Sequence, residues 1–232
     1  TRIDSVLMAQ KVKNVTGFEV MPHICCRDKN AIAMRSTFLG ASINDINNFL
    51  IITGDPIPVM ARQVVKSVFN FDSVGLMRIA DEMNSEALKD SPLTYGGAIN
   101  QSRRRIESEI KRVQKKMEAG AEFFLTQPVF TAEDAERLRR VKEETGARIL
   151  CGIMPLVSRK NALFMKNEIS GVNVTDEVIE RYPENADRED GENVGVELAK
   201  EMIAATRDFA DGYYFSFPFN RTYLLKRIIE EL

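Results

Sequence analysis

The stretch that decides the fold is Asn48-Phe49-Leu50-Ile51-Ile52-Thr53-Gly54-Asp55-Pro56. Its first half is short, apolar and rich in β-branched residues, which is typical of a strand buried on both faces. Its second half is a small polar turn with one carboxylate, and Pro56 ends the strand because proline has no amide hydrogen for a ladder. A Gly-Asp-Pro turn is common in loops, so a functional role for Asp55 depends on the residues that accompany it.

Strand and helix patterns alternate on both sides of this stretch. Upstream, a helix is predicted from Ile3 to Asn14, and a strand from Phe18 to Cys26 that ends or is interrupted near Pro22. Downstream, strands are predicted at residues 93–100, 123–127, 148–154 and 212–217, with helices between them and a last helix over 223–231. Such alternation predicts an α/β fold with parallel strands and right-handed crossovers.

Two α/β architectures fit this alternation, an open doubly wound sheet and a barrel. No glycine-rich dinucleotide fingerprint follows any strand, so the usual cofactor site of the open sheet lacks support. In a barrel, functional groups gather where strands end and loops to helices begin. The polar residues expected at those ends are His23, Asp55, Asn100, Gln127 and Asn220. The barrel is therefore favoured.

Composition excludes several classes of protein. The chain has 232 residues, of which 44% are hydrophobic and 28% charged, as in an ordinary soluble protein, and it fits a single domain over residues 1–232. A net charge of -2 argues against a nucleic-acid partner. No apolar run is long enough for a membrane span, and no signal peptide is visible. Three cysteines form no disulfide framework, so a reducing, cytoplasmic location is expected.

Single residues leave alternatives open. His23 is the only histidine, and it is either a packed polar residue or part of a site. No cluster of histidine and cysteine has the spacing of metal ligands, so no metal is expected. Gln127 ends a hydrophobic strand, where its amide either reads a heterocyclic ring or bonds the adjacent loop. The aromatic residues at 213–219 form core packing or a face for a flat ring.

Five motifs occur together in one order along the chain. They are Ile52-Thr53-Gly54-Asp55-Pro56, Gly97-Ala98-Ile99-Asn100, Ala119-Gly120-Ala121 with Thr126-Gln127-Pro128-Val129-Phe130, Gly152-Ile153-Met154-Pro155-Leu156, and Pro218-Phe219-Asn220-Arg221. Each is weak singly, but together they resemble the methylenetetrahydrofolate reductase family. The likeness is greatest to the reductase module of bacterial bifunctional proteins that also carry a homocysteine S-methyltransferase domain.

The resemblance implies a fold and an activity. The family is a (β/α)8 TIM barrel that binds FAD. It reduces the folate substrate 5,10-methylenetetrahydrofolate to 5-methyltetrahydrofolate with electrons from NAD(P)H, by ping-pong hydride transfer. A fused or associated methyltransferase domain is an implied partner, and a homo-oligomer stays open, as does the preference between NADH and NADPH.

The resemblance also implies roles for individual residues. Asp55 is the catalytic carboxylate beside the flavin, where its charge would stabilise an iminium cation on folate. The implied cofactor-binding residues are His23, Thr53, Gly54, Asp55, Ile99, Glu109 and Lys116. The implied substrate-binding residues are Gln127, Phe217 and Arg221.

The chain departs from the family pattern at its beginning. The family's first strand carries a Phe-Glu-Phe-type sequence whose glutamate is the general acid, and no such segment precedes Thr1. Glu19 is not that acid, because it precedes Pro22-His23 and so matches the third strand. The expectation is an N-terminally incomplete barrel of about six βα units, with the first strands upstream. The alternatives are a non-catalytic flavin- or folate-binding or scaffold module of a methyltransferase fusion, and another barrel enzyme acting on a phosphorylated metabolite.

Overall fold

The computed structural model describes residues 3–169, 171–185 and 187–230. The chain forms two compact units. Unit 1 runs from the start of the described chain to Ala98 and includes Val113–Phe123, and unit 2 consists of Ile99–Arg112 and the chain from Phe124 onward. A single domain over residues 1–232 stays a prediction.

Unit 1 alternates helices with three parallel strands. Its elements are α1 (Ser5–Thr16), β1 (His23–Cys25), α2 (Ala31–Ser42), β2 (Asn48–Ile52), α3 (Ser73–Ser85) and β3 (Thr94–Ile99), together with the second half of α4 (Ile106–Glu118). Strand β2 lies between β1 and β3 and pairs with both in parallel, with Cys25 opposite Ile52 and Asn48 opposite Thr94. Phe49 and Ile51 are fully buried, as expected for a strand covered on both faces.

The first strand is shorter than the sequence predicts. Residues 18–22 form no strand, and β1 begins at His23. Pro22 has no amide hydrogen for the ladder, and its carbonyl accepts a hydrogen bond of 3.2 Å from the amide of Leu50. The expectation that His23 lies at the end of a strand is therefore wrong, because it is the first residue of β1.

Unit 2 continues the same alternation. Its elements are β4 (Phe123–Pro128), α5 (Ala132–Thr145), β5 (Ile149–Ile153), α6 (Arg159–Glu168), α7 (Asp176–Glu180), α8 (Arg188–Thr206), β6 (Gly212–Phe215) and α9 (Leu224–Ile229). Strand β5 pairs in parallel with β4 and with β6. The predicted last helix extended to Glu231, which lies outside the described residues. Parallel strands that alternate with helices in both units confirm the α/β class.

Long helix α8 packs closely on the loop that follows β5. The backbone of Gly191 and Gly195 faces the carbonyl oxygens of Val157 and Leu156, and a Cβ on Gly191 would lie 2.5 Å from Val157 O. A Cβ on Gly195 would overlap Leu156 O. The hydroxyl of Tyr182 also donates a hydrogen bond of 2.9 Å to Leu156 O. The two glycines thus set how closely the helix approaches the loop. In the described ranges, no helix is both long and apolar enough to cross a membrane.

Replacing Gly195 by alanine tests this close packing. The new methyl group must displace the backbone of Leu156, so Gly195→Ala should lower the free energy of unfolding by about 1–3 kcal/mol. The matched control is Gly40→Ala in the interior of α2, where nothing lies within 4 Å of the new Cβ. The control should be neutral or stabilising by up to about 1 kcal/mol. Urea unfolding of both variants measures the difference, and equal stabilities would contradict the packing described.

Candidate functional site

In unit 1, the carboxyl ends of β1 and β2 carry the turn that the sequence singled out. Gly54 has φ +88°, a left-handed conformation, and a Cβ at this position would lie 2.9 Å from Cys25 Cβ. Glycine is therefore required by both its backbone angle and its neighbour. This close approach fixes the turn that presents Asp55 beside the end of β1.

Arg27 holds this turn from the neighbouring strand end. Its guanidinium donates two hydrogen bonds, of 2.8 and 2.9 Å, to the carboxylate of Asp28 and a third, of 3.1 Å, to the backbone carbonyl of Asp55. The Asp55 side chain is exposed, and its charge acts on Arg27. The sequence interpretation missed Arg27, although its position directly after a strand could have drawn attention to it.

The other predicted residues of unit 1 have different surroundings. Thr53 accepts a hydrogen bond of 3.1 Å from the amide of Ser73, so its hydroxyl ties β2 to the start of α3. His23 lies at the amino end of β1, where the protein packed around part of its ring lowers its pKa below the usual value. The ammonium of Lys116 donates to the carbonyl of Ala98 at 2.5 Å, near the end of β3. Thr53, Gly54 and Asp55 share one turn, whereas His23 begins strand β1 and Lys116 lies on helix α4.

In unit 2, Glu109 is a buried carboxylate behind the turn that follows β3. Its Oε1 accepts a hydrogen bond of 3.0 Å from the amide of Asn100. Its Oε2 lies 2.9 Å from Arg103 Nε without the alignment of a hydrogen bond, so this oxygen has no hydrogen-bond partner among the described residues. An unsatisfied buried acceptor fits a ligand hydroxyl such as those of ribose. Ile99, which directly precedes Asn100, is fully buried.

Strand β4 contains a bulge at the predicted substrate residue. Between Leu125 and Pro128 the register with β5 shifts by one residue. The hydroxyl of Thr126 replaces a ladder carbonyl, because it accepts a hydrogen bond of 2.9 Å from the amide of Gly152. Bulges often re-aim side chains beside functional sites, and here Gln127 is half-buried at the bulge.

A second glutamine stabilises that bulge. Gln101 is fully buried, and its Oε1 accepts a hydrogen bond of 3.2 Å from the amide of Gln127. Its Nε2 donates to the carbonyls of Gln127 at 3.0 Å and Pro128 at 3.3 Å. The sequence interpretation missed Gln101, because such a contact joins residues of separate loops and leaves no local pattern.

Helix α5 anchors the turn that carries Gln101. One guanidinium nitrogen of Arg137 donates to the carbonyls of Gln101 at 2.8 Å and Arg103 at 2.7 Å. Asp134, one turn earlier on the helix, is fully buried. Its carboxylate accepts long hydrogen bonds, of 3.4 Å from the Ser102 hydroxyl and 3.5 Å from both the Phe130 amide and the Asn173 side chain. Burial raises the pKa of Asp134 above its usual value.

The loop after β6 is strained at a family motif. Phe219 and Asn220 both have positive φ, at 56° and 58°, which is uncommon for residues other than glycine and often marks functional segments. The next residue, Arg221, lies with its guanidinium carbon 5.6 Å from the centre of the Phe219 ring and its Nε 3.2 Å from Glu192 Oε1. Phe217 stacks on Phe215 with ring centres 6.0 Å apart. Asn220 ends a short 3₁₀ helix and does not directly follow the strand.

Glu192, near the amino end of α8, forms ion pairs with several arginine side chains. Its carboxylate accepts hydrogen bonds from the Tyr223 hydroxyl at 2.6 Å and from Arg188 Nε at 2.9 Å, in addition to the contact with Arg221. Burial alone would raise the pKa of Glu192, but these hydrogen bonds and the arginine charges hold it below its usual value. An open cavity of about 730 Å³ lies beside the cluster and is lined by Asp187, Arg188, Glu189, Glu192, Tyr223 and Arg227.

Comparison with known families identifies the family of the chain. The family model of methylenetetrahydrofolate reductase matches residues 1–232. The chain belongs to the methylenetetrahydrofolate reductase family. The family fold is a TIM barrel, in agreement with the α/β class and parallel strands of the two units. No curated protein matches the chain.

Two solved structures are similar to this chain in fold. One is 2,3-dimethylmalate lyase of the PEP mutase/isocitrate lyase superfamily, with TM-score 0.53, 14% identity, and coverage of 98% of this chain and 63% of that chain. The other is an uncharacterised protein from Clostridium thermocellum that binds two copies of 5-methyl-5,6,7,8-tetrahydrofolic acid. It has TM-score 0.53, 16% identity, and coverage of 97% of this chain and 86% of that chain. At these identities the likeness concerns the fold alone, and this chain spans less than two thirds of the lyase.

The buried acid Asp134 gives a prediction about pH. Because its pKa is raised in the folded protein, the unfolded chain releases this proton at lower pH, and this residue's contribution to the free energy of unfolding falls as pH rises above about 4. Asp134→Asn removes this dependence, so the stability of the variant relative to the wild type should increase from pH 4 to pH 7. Urea unfolding across this range measures it. Glu136→Gln, an exposed carboxamide substitution on the same helix, is the control, and parallel pH profiles for Asp134→Asn and wild type would contradict the prediction.

Proposed function

We propose that this protein reduces 5,10-methylenetetrahydrofolate to 5-methyltetrahydrofolate in a flavin-dependent reaction with NAD(P)H as electron donor. The observation that carries the proposal is the match of the methylenetetrahydrofolate reductase family model to residues 1–232. The folate that the similar structure from Clostridium thermocellum binds is consistent with the same substrate class. The reaction would run in two halves, with the flavin reduced first and the folate second.

The proposed cofactor is FAD, and the chain holds a fitting residue for it. The unsatisfied Oε2 of Glu109 would accept a hydrogen bond from a ribose hydroxyl, and Lys116 would supply positive charge for the phosphates. The family resemblance also assigns Thr53, Gly54, His23 and Ile99 to the cofactor; of these, Thr53 and Gly54 share one turn in unit 1, His23 begins β1, and Ile99 is fully buried. Bound FAD would supply the acceptor and donor of hydride, which no amino-acid side chain can provide.

Asp55 would act through its charge. The folate substrate opens to an iminium cation before it accepts hydride, and a fixed carboxylate beside that cation lowers the energy of the transition state. The arrangement in unit 1 suits this role, because Arg27 bonds the backbone carbonyl of Asp55 and the Asp55 side chain is exposed. Gln127 would hydrogen-bond the ring of the substrate, Phe217 would offer it a flat apolar face, and Arg221 would lie near its carboxylates.

The wider setting is part of the same proposal. A fused or associated homocysteine methyltransferase would consume the 5-methyltetrahydrofolate produced, and the reaction would take place in the cytoplasm, where both nicotinamide cofactors are available. The methyltransferase partner rests on the family resemblance, and the cytoplasmic location rests on the three cysteines that form no disulfide framework.

Flavin binding is the first test. Protein purified with added FAD should retain flavin absorbance after gel filtration and should oxidise NAD(P)H, with menadione or 5,10-methylenetetrahydrofolate as acceptor. Colourless protein that stays inactive with FAD present would reject the proposal. Comparing NADH with NADPH in the same assay gives the donor preference.

Asp55→Asn tests the catalytic assignment. Loss of the negative charge should slow the reduction of folate by about tenfold to a hundredfold and leave the reduction of flavin by NAD(P)H much less affected. Stopped-flow measurement of the two half-reactions separates these effects. Asp90→Asn, at an exposed carboxylate outside the turn, is the control. Equal slowing of both half-reactions would contradict the role assigned to Asp55.

A second candidate function is a folate-binding module without catalysis. The observation that favours it is the similar structure from Clostridium thermocellum, whose bound 5-methyl-5,6,7,8-tetrahydrofolic acid is the product of the proposed reaction. Calorimetry with 5-methyltetrahydrofolate, combined with the flavin assay, decides between the two. Folate binding without flavin binding or NAD(P)H oxidation would favour the binding module.

A further inference from the structure

We propose that Gln101 is a positioning residue that sets the direction of the Gln127 side chain, and through it the affinity for the folate ring. This inference rests on the proposed function for its substrate, but its structural part concerns two glutamines that contact each other in unit 2. Nothing in the family resemblance assigned a role to Gln101.

The contact is a double hydrogen bond between one amide side chain and the backbone of another residue. Gln101 accepts from the amide of Gln127 at 3.2 Å and donates to its carbonyl at 3.0 Å. In a regular strand, both backbone groups would bond a neighbouring strand. At the bulge they leave that ladder, and an amide side chain is the residue type that can satisfy a donor and an acceptor together.

The bulge and its support fix where the Gln127 side chain points. Successive side chains alternate between the faces of a strand, and one extra residue reverses that alternation locally. On the side of β5, the hydroxyl of Thr126 replaces the missing ladder bond to Gly152, and Tyr214 donates a hydrogen bond of 2.6 Å to the carbonyl of Thr126. Gln101 bonds the amide and the carbonyl of Gln127 from a separate loop, and the Thr126 hydroxyl also donates a hydrogen bond of 2.7 Å to the Gln127 carbonyl. Without Gln101, the Gln127 amide would lose this partner and the half-buried residue would be held less firmly.

The fixing partner is itself held rigidly. Arg137 donates hydrogen bonds to the carbonyls of Gln101 and Arg103, which joins the turn to helix α5. The Gln101 side chain is completely enclosed, so it has little freedom to adopt other rotamers. A chain of contacts therefore runs from Arg137 through Gln101 to the backbone of Gln127. By contrast, the amide side chain of Gln127 has no hydrogen-bond partner within the ranges that the structure describes, which leaves it available for a ligand.

The chain supplies a matched control for this interaction. In unit 1, Asn84 accepts a hydrogen bond of 2.7 Å from the amide of Leu93 and donates one of 2.8 Å to its carbonyl. The chemistry is the same, but Leu93 precedes β3 and so lies at the amino end of a strand. Replacing Asn84 removes a comparable contact without touching the residues assigned to substrate.

The experiment compares Gln101→Met with Asn84→Leu in the full chain. The first readout is hydrogen exchange of backbone amides by NMR, without ligand. Gln101→Met should raise the exchange rate of the Gln127 amide and shift its side-chain amide resonances, whereas Asn84→Leu should affect the Leu93 amide only. Unchanged Gln127 signals in Gln101→Met would overturn the inference, whatever the protein binds.

The second readout is the affinity for 5-methyltetrahydrofolate in a double-mutant cycle with Gln127→Leu. Gln101→Met should weaken binding by about tenfold or more in the wild-type background and have little effect when Gln127 is already leucine. Equal, additive losses in both backgrounds would indicate a merely structural role and would overturn the inference. Gln101→Met should leave the affinity for flavin unchanged. The control Asn84→Leu should leave the affinity for folate unchanged.

Two further outcomes are distinguishable. If wild-type protein binds no folate, the proposed function fails, while the exchange measurement still decides whether Gln101 positions Gln127. If Gln101→Met does not fold, Arg137→Met replaces it, because it loosens the turn while keeping the amide of Gln101. That variant should show smaller changes in the Gln127 signals, in the same direction. The absence of any change in those signals would overturn the inference.

Discussion

Backbone groups that leave a parallel ladder must find new partners, and this constraint shapes the ends of the strands in both units. Buried amide and carbonyl groups cost about 1–3 kcal/mol each when they are unsatisfied. In this chain, side chains from neighbouring loops and helices supply the missing bonds. Gln101 bonds the backbone of Gln127, Glu109 of α4 accepts from the amide of Asn100 after β3, and in unit 1 Asn84 of α3 bonds the backbone of Leu93 before β3. The same loops carry the residues to which a function can be assigned, so their order is a condition for the chemistry.

Electrostatics divide the strand ends into exposed and buried charges. Asp55 is exposed, and the nearby guanidinium of Arg27 bonds the Asp28 carboxylate and the Asp55 backbone carbonyl. Glu192 is enclosed by arginines and a tyrosine hydroxyl that keep it ionised despite burial. Glu109 is intermediate, since only one of its two oxygens has a hydrogen-bond partner in the described part of the chain. A free carboxylate on the surface and a half-satisfied one in the interior suit a cationic intermediate and a ligand hydroxyl respectively.

The fold could be predicted from the sequence to a large extent. A strand buried on both faces must be apolar throughout, so the strand before Thr53 was predicted correctly and the others to within a few residues. The first strand was predicted too long, because a proline can either interrupt a strand or precede it. Only the pairing of Leu50 with the Pro22 carbonyl distinguishes these cases. The glycine of the turn was anticipated, whereas its contact with Cys25 was not, because a close approach depends on the neighbouring strand.

The sequence by itself determined the α/β class, the order of the elements and the family, because apolar periodicity and short motifs are local properties of the chain. It also singled out Asp55 and Gln127, since each follows or ends an apolar strand. The tertiary structure decided which side chains support them. Arg27, Gln101 and Arg137 act through hydrogen bonds to residues 26 to 36 positions away or across a neighbouring strand, and no local pattern records such contacts. The turn carrying Asp55 is thus set by its own sequence, but the contact of Arg27 with the backbone carbonyl of Asp55 is set by the pairing of β1 with β2.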